Sequence, residues 1–162
     1  MRCFGGEEMP YDDYKLALDA FNRVLNSLKG EAKSKFRSRA RDLVEEIYTS
    51  GFIPTLFYII SKAGLENNDK IDKLTTLLNS PSSESIDLGS SDEASYMAYL
   101  FVILYYLSER NIIDKKFLID KLRCNRLELI DKLYELSPII SARIKRYLMA
   151  IKRLAEAIIE VR

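Results

Sequence analysis

The residues Phe36–Ala63, FRSRARDLVEEIYTSGFIPTLFYIISKA, decide the fold. Ala32, Phe36, Ala40, Leu43 and Ile47 recur three and four apart, which predicts a helix from about Glu31 to Thr49 with those residues inward. Ser50–Gly51 reads as a corner, because glycine just past a helix end takes a positive φ at no steric cost. Pro54 suits the first turn of the next helix. There Leu56, Phe57, Ile59 and Ile60 are expected to pack inward, with Lys62 near the C-terminal end, where a cation is favoured.

The first of these helices carries a charge pattern. Lys33, Arg37 and Arg41 climb one flank at four-residue steps, while Lys35 and Arg39 climb the other. From Arg23 to Arg41 there are seven basic residues against one acid, Glu31. Such a run either solubilises a helix face or contacts phosphates.

Upstream, Tyr14, Leu18, Phe21, Leu25 and Leu28 predict a helix from about Tyr11 to Lys29 with one apolar stripe, Asp12 or Asp13 serving its N-terminal end. Residues 1–10 read as a flexible tail without a signal-peptide core. Downstream, Ile71, Leu74, Leu77 and Leu78 mark a short helix from about Asp69. The segment 79–91, NSPSSESIDLGSS, has six serines in thirteen residues and only acidic charge. It reads as a serine-rich acidic mobile loop, a surface insertion more readily than a phosphosite.

Tyr96–Leu107, YMAYLFVILYYL, is the longest apolar run. It is too short for a bilayer, which needs about 20 residues. A helix at the centre of the core, capped by Asp92, is the expected reading, a sticky face for a partner the other. Two helical stretches follow, Ile112–Cys124 and Arg126–Leu136, with Leu118, Leu122, Leu127, Ile130 and Leu133–Tyr134 apolar. Ser137–Pro138 is expected to stop that pattern and open the last helix, which runs to about Val161. Its stripe is Ile140, Ile144, Leu148, Ile151, Ala155 and Ile158. Lys145 and Lys152 line one side of it, Arg146 and Arg153 the other. These lines solubilise the helix, meet a nucleic-acid backbone, or meet a partner's acidic patch.

The whole is expected to be all-α: one domain over residues 1–162, a compact bundle of about six to eight helices with no sheet. Its 162 residues, 48% apolar and 30% charged, suit one core. The net charge of +1 means that any nucleic-acid contact rests on local clustering of cations. Histidine is absent, so a Ser-His-Asp triad and imidazole ligation of a metal are excluded. Two cysteines without a CxxC point to a reducing, cytoplasmic setting. No phosphate-cradling loop or zinc motif is present, and Asp12–Asp13 and Glu45–Glu46, as sequence neighbours, diverge on a helix. No enzyme, cofactor, metal, membrane or small-molecule substrate is expected. A helix-turn-helix DNA reader is disfavoured too, since FIPTLFYIISKA has almost no polar groups for base edges.

Two segments carry a family resemblance. The first, Phe36–Ala63, resembles the signature of the small helical subunit of Cmr complexes, the type III-B CRISPR–Cas effectors. In that family a basic helix ends in an Asn-Gly-Leu-like corner, followed by a Thr/Leu/Phe-rich helix ending near Ser-Lys. Here the matching residues are Ser50-Gly51-Phe52, then Thr55, Leu56, Phe57, Ser61 and Lys62. The second, YLMAIKRLAEAII (147–159), is similar to the family's C-terminal helix through Lys152, Arg153, Ala155, Glu156 and Ala157.

The resemblance implies a helical bundle that is not itself a nuclease. Several copies would stack along the effector's backbone subunits, beside its large subunit, lining a groove for guide RNA paired to target RNA. Arg37, Arg41, Lys152 and Arg153 match the family motifs as candidate RNA-binding positions. Lys33, Lys145 and Arg146 join them on spacing alone, as phosphate contacts. The alternative is a helical protein–protein adaptor without nucleic-acid contact.

Overall fold

A computed structural model of the chain describes residues 10–80 and 86–161. Among the described residues eight helices follow one another: α1 (Pro10–Ser27), α2 (Glu31–Ser50), α3 (Phe52–Lys62), α4 (Asn68–Asn79), α5 (Asp92–Glu109), α6 (Lys115–Cys124), α7 (Arg126–Arg143) and α8 (Lys145–Ile158). Among the described residues there is no strand, only an isolated parallel bridge between Leu28 and Gly89.

The apolar run forms the middle of the molecule. Every side chain of α5 from Ala94 to Ser108 is buried. The helices that cover it are the chain's own: α1 and α2, then α3, α4 and α6. A helix apolar all round is stable only when enclosed on all sides, and truncating one of its buried rings to alanine costs about 3–5 kcal/mol. Its N-cap is Ser91, whose hydroxyl accepts from the Ala94 N–H at 3.1 Å, and not the expected Asp92. Asp92 instead sits in the first turn and pairs with Arg39.

The corner after α2 takes the form its glycine permits. Gly51 has φ 98° and ψ 164°, a region open almost only to glycine. Its N–H closes α2 on the Ile47 carbonyl at 3.0 Å. Its own carbonyl accepts from the Thr55 hydroxyl at 2.9 Å. One residue thus ends α2 and begins α3. Phe52, Thr55, Leu56 and Ile59 are buried, whereas Phe57 stands 49% exposed, against expectation.

α8 lies between α1 and α2. It runs parallel to α1, since Arg146 meets Asp13 at one end and Ile158 lines a cleft with Leu25 at the other. It runs antiparallel to α2, since Lys145 meets Tyr48 and Ile158 nears Lys33. The buried face of α1 is Ala17, Ala20, Phe21 and Val24, with Leu28 buried just beyond its end, while the expected Tyr14 and Leu18 are each 52% exposed. The inner face, against α8 and α5, thus passes through two alanines and not through Tyr14 and Leu18.

The end of the molecule around α6 and α7 also differs from expectation. Asn125 breaks the two helices, its side chain accepting from the Glu128 N–H at 3.1 Å. Pro138 does not open the last helix; it lies inside α7 at an exposed position, where water can replace the hydrogen bond it removes. The bend falls at Ile144, whose N–H and carbonyl still bond Ile140 and Leu148 at 2.9 and 3.0 Å. Leu129 and Leu133 are buried, while Leu127 and Tyr134 are 76% and 62% exposed, and Ile158 in α8 is exposed as well.

Residues 1–9 of the expected tail and 81–85 of the serine-rich segment lie outside the described residues, and Pro10 already belongs to α1. The remainder of that segment returns to the body: Leu88 is buried, its N–H bonds the Ser27 carbonyl at 2.8 Å, and Lys29 N–H bonds the Gly89 carbonyl at 2.9 Å.

Candidate nucleic-acid interface

Folding sorts the basic run into structural and free cations. Arg23 caps the C-terminal end of α4, donating to the carbonyls of Leu77 and Ser80 at 3.1 and 2.9 Å. That end of a helix leaves carbonyls unbonded and attracts a cation. Arg39 pairs with Asp92 and lies 4.3 Å from the centroid of the Tyr96 ring. The Tyr96 hydroxyl in turn lies 3.2 Å from that of Tyr58. Arg39, Tyr58 and Tyr96 line a cleft between α2 and α3, on the flank away from α8.

The other flank of α2 faces α8. Three observations fix the seam between them. Lys152 Nζ is 3.5 Å from Glu45 Oε2. Lys145 Nζ is 4.8 Å from the centroid of the Tyr48 ring. Arg41 is close enough to Glu156 for that carboxylate to contribute to its raised pKa, although the main cause is the hydrogen bond to neighbouring Asp42, Nε to Oδ1 at 2.8 Å. The four-residue steps along α2 keep Lys33, Arg37 and Arg41 on this flank. Five of the seven candidate positions therefore share one seam: Lys33, Arg37, Arg41, Lys145 and Lys152.

Arg146 and Arg153 lie on the other side of α8, the side towards α1. Arg146 Nη1 is 3.4 Å from Asp13 Oδ2. Asp13 is the anchor of a buried network. Arg110 grips it, the Tyr106 hydroxyl is 3.5 Å away, and that hydroxyl donates to the Arg143 carbonyl at 2.9 Å. Burial, aided by Asp13, pushes the Tyr106 pKa up to about 12. Arg146 thus has a structural partner, while Arg153 stays exposed.

Among the described residues, Lys33, Arg37, Lys145 and Arg153 have no carboxylate within salt-bridge distance, whereas Arg41, Arg146 and Lys152 each have one. The Nε of Arg37 is buried without a hydrogen-bond partner. A surface with three unpaired cations on one seam attracts polyanions without reading sequence. Sequence reasoning missed two participants. Tyr48 continues the flank seven residues beyond Arg41, a spacing visible in the sequence. The Asp13–Arg110 pair spans 97 residues and leaves no local trace.

Among the described residues, no group of three His, Cys, Asp or Glu could hold a metal. No described helix is long and apolar enough to cross a membrane. An apolar cleft of about 350 Å³ among α3, α5, α6 and α7, lined by Leu100, Leu104, Leu129 and Leu133, holds no cluster of cations.

No protein-family model matches the chain. A curated protein of Saccharolobus solfataricus (strain P2), "CRISPR system CMR subunit Cmr5", is 85% identical over 150 residues, covering 93% of this chain and 95% of the relative. Two solved structures are similar over 95% of this chain and 100% of theirs. One is a chain of the type III-B Cmr-beta complex bound to non-cognate target RNA, at TM-score 0.89 and 62% identity. The other is a chain of type III-B Cmr-beta bound to cognate target RNA and AMPPnP, at TM-score 0.88 and 61% identity. At 85% identity over nearly the full length, with a matching overall structure, the chain belongs to the Cmr5 family of type III-B CRISPR subunits.

Proposed function

We propose that the chain is a non-catalytic, RNA-holding structural subunit of a cytoplasmic type III-B CRISPR effector, serving antiviral defence. Copies stack beside the backbone and large subunits, and the α2–α8 seam follows the phosphates of the guide–target duplex. The observation that carries this reading is the group Lys33, Arg37 and Lys145: three cations on one seam, none neutralised by a carboxylate. Duplex RNA is held mainly through phosphates and shape, which calls for cations and not for a base-reading motif. Relatives solved in complexes bound to target RNA support the same role.

Charge reversal tests it. An effector reconstituted with K33E/R37E/K145E is expected to keep this subunit and hold less RNA per assembled complex. RNA retention equal to that of the unaltered effector, with loss of a partner protein instead, would support the adaptor alternative and sink the RNA reading.

A further inference from the structure

We infer that Tyr48 is a stacking platform for an unpaired nucleobase at one end of the α2–α8 seam. This rests on the RNA reading of that seam and adds to it a base contact, where the cations supply only phosphate contacts.

Tyr48 lies on the α8-facing flank of α2, in the last turn, about 22 Å along the helix axis from Lys33. It is 51% exposed, while neighbouring Ile47 fills the core. One side of it lies under the Lys145 ammonium, 4.8 Å from the ring centroid. Its hydroxyl is engaged by no described residue. Half an aromatic ring is therefore offered to solvent beside a cation that lacks a carboxylate. Aromatic rings beside cations are what single-stranded nucleic acid uses: phosphates meet the charge and bases meet the ring.

The other exposed tyrosines lack this combination. Tyr58 also has an ammonium beside it, Lys62 Nζ at 5.7 Å from the centroid, but its ring is already taken: it packs edge-to-face on Tyr96 at 5.8 Å, and its hydroxyl meets that of Tyr96. Tyr134 shares its cleft with Glu128 and Asp131, which repel a phosphate chain. Tyr14 is followed by Lys15, already paired with Asp19 at 3.6 Å. Tyr48 alone among these four joins a free ring to an unpaired cation.

The test uses the full chain and two labelled probes of equal length and charge: a single-stranded oligouridylate and the same strand made abasic. Binding is read by fluorescence anisotropy at low salt, with folding of each variant checked by circular dichroism. Tyr48→Leu is expected to weaken the base-bearing strand about 5- to 150-fold, the range of one base–aromatic stack, and the abasic strand less than about twofold. Tyr48→Phe, which keeps the ring, is expected to match the unaltered chain. If Tyr48→Leu leaves the base-bearing strand unchanged, or weakens both strands alike, while K33E/R37E/K145E weakens both, the stacking role is overturned and the phosphate role stands. If neither probe responds to any variant, both readings fail.

Discussion

Lys152 of α8 reaches Glu45 of α2 across the seam, Nζ to Oε2 at 3.5 Å. Glu45 is 61% exposed, so the pair contributes only about 0–1 kcal/mol to the fold. Its larger effect is on charge: Glu45 is the acid that directly occupies one of the five seam cations from the opposite helix.

Removing that charge is expected to favour RNA. Glu45→Gln frees Lys152 and takes one anion from the seam. RNA affinity should rise about two- to threefold near ~0.15 M salt, with stability changed by less than about 0.5 kcal/mol. Anisotropy titration of the two proteins side by side is the check; an unchanged or lower affinity counts against the seam.

The buried counterpart behaves differently. Asp13 and Arg110 have side chains only 5% and 9% exposed. Breaking a buried pair from one side strands the remaining charge, at a cost of about 3–5 kcal/mol. Arg110 keeps Asp12 at 3.8 Å, so the low end of that range is expected for Asp13→Asn. This corresponds to a drop in Tm of about 6–12 °C. Asp12→Asn, at a 43% exposed position, should cost under about 1 kcal/mol. Thermal melts that rank the two variants in the opposite order would contradict the network.

Alkaline pH should unfold the protein through its inner tyrosines. Burial, chiefly, pushes Tyr106 and Tyr96 up to about 12, raises Tyr99 further, and holds Tyr147 well above its ordinary value. Their ordinary value is 10.0. Between those values the folded chain keeps protons that the unfolded chain has released, so stability falls as pH rises from about 10 towards 12 and beyond. Below about pH 10 these groups contribute no pH dependence. Denaturant midpoints between about pH 8 and about pH 11, followed with tyrosinate absorbance, should show late ionisation coinciding with unfolding.

The corner between α2 and α3 depends on a residue without a Cβ. At φ 98° and ψ 164°, alanine is strained even though its Cβ would stand 3.7 Å from the Pro54 ring, an ordinary contact. Gly51→Ala is expected to cost about 1–3 kcal/mol. A melt superimposable on that of the unaltered chain would show that the corner relaxes freely.

What the sequence disclosed and what it hid have physical causes. α5 was legible because an unbroken apolar run must be covered, by its own chain or by a partner. The corner at Gly51 was legible because glycine and proline mark it. The inner face of α1 was not, because Ala17 and Ala20 carry little hydrophobic signal beside Tyr14 and Leu18, yet they are the residues buried. Pro138 misled because an exposed position tolerates the lost hydrogen bond, while the real bend at Ile144 has neither glycine nor proline. The flank of Lys33, Arg37 and Arg41 followed from four-residue spacing. That Arg41 meets Asp42, Arg146 meets Asp13 and Lys152 meets Glu45 depends on side-chain reach and, for two of them, on which helices adjoin.

The most direct measurement is the salt dependence of RNA binding by the full chain. Each phosphate neutralised releases condensed counterions, giving a log–log slope of about −0.7 per contact on a single strand. With Lys33, Arg37 and Lys145 engaged, a slope of about −2 or steeper is expected, and K33E/R37E/K145E should flatten it by about 2. A slope near zero, or one that the triple variant leaves unchanged, would contradict the cationic seam.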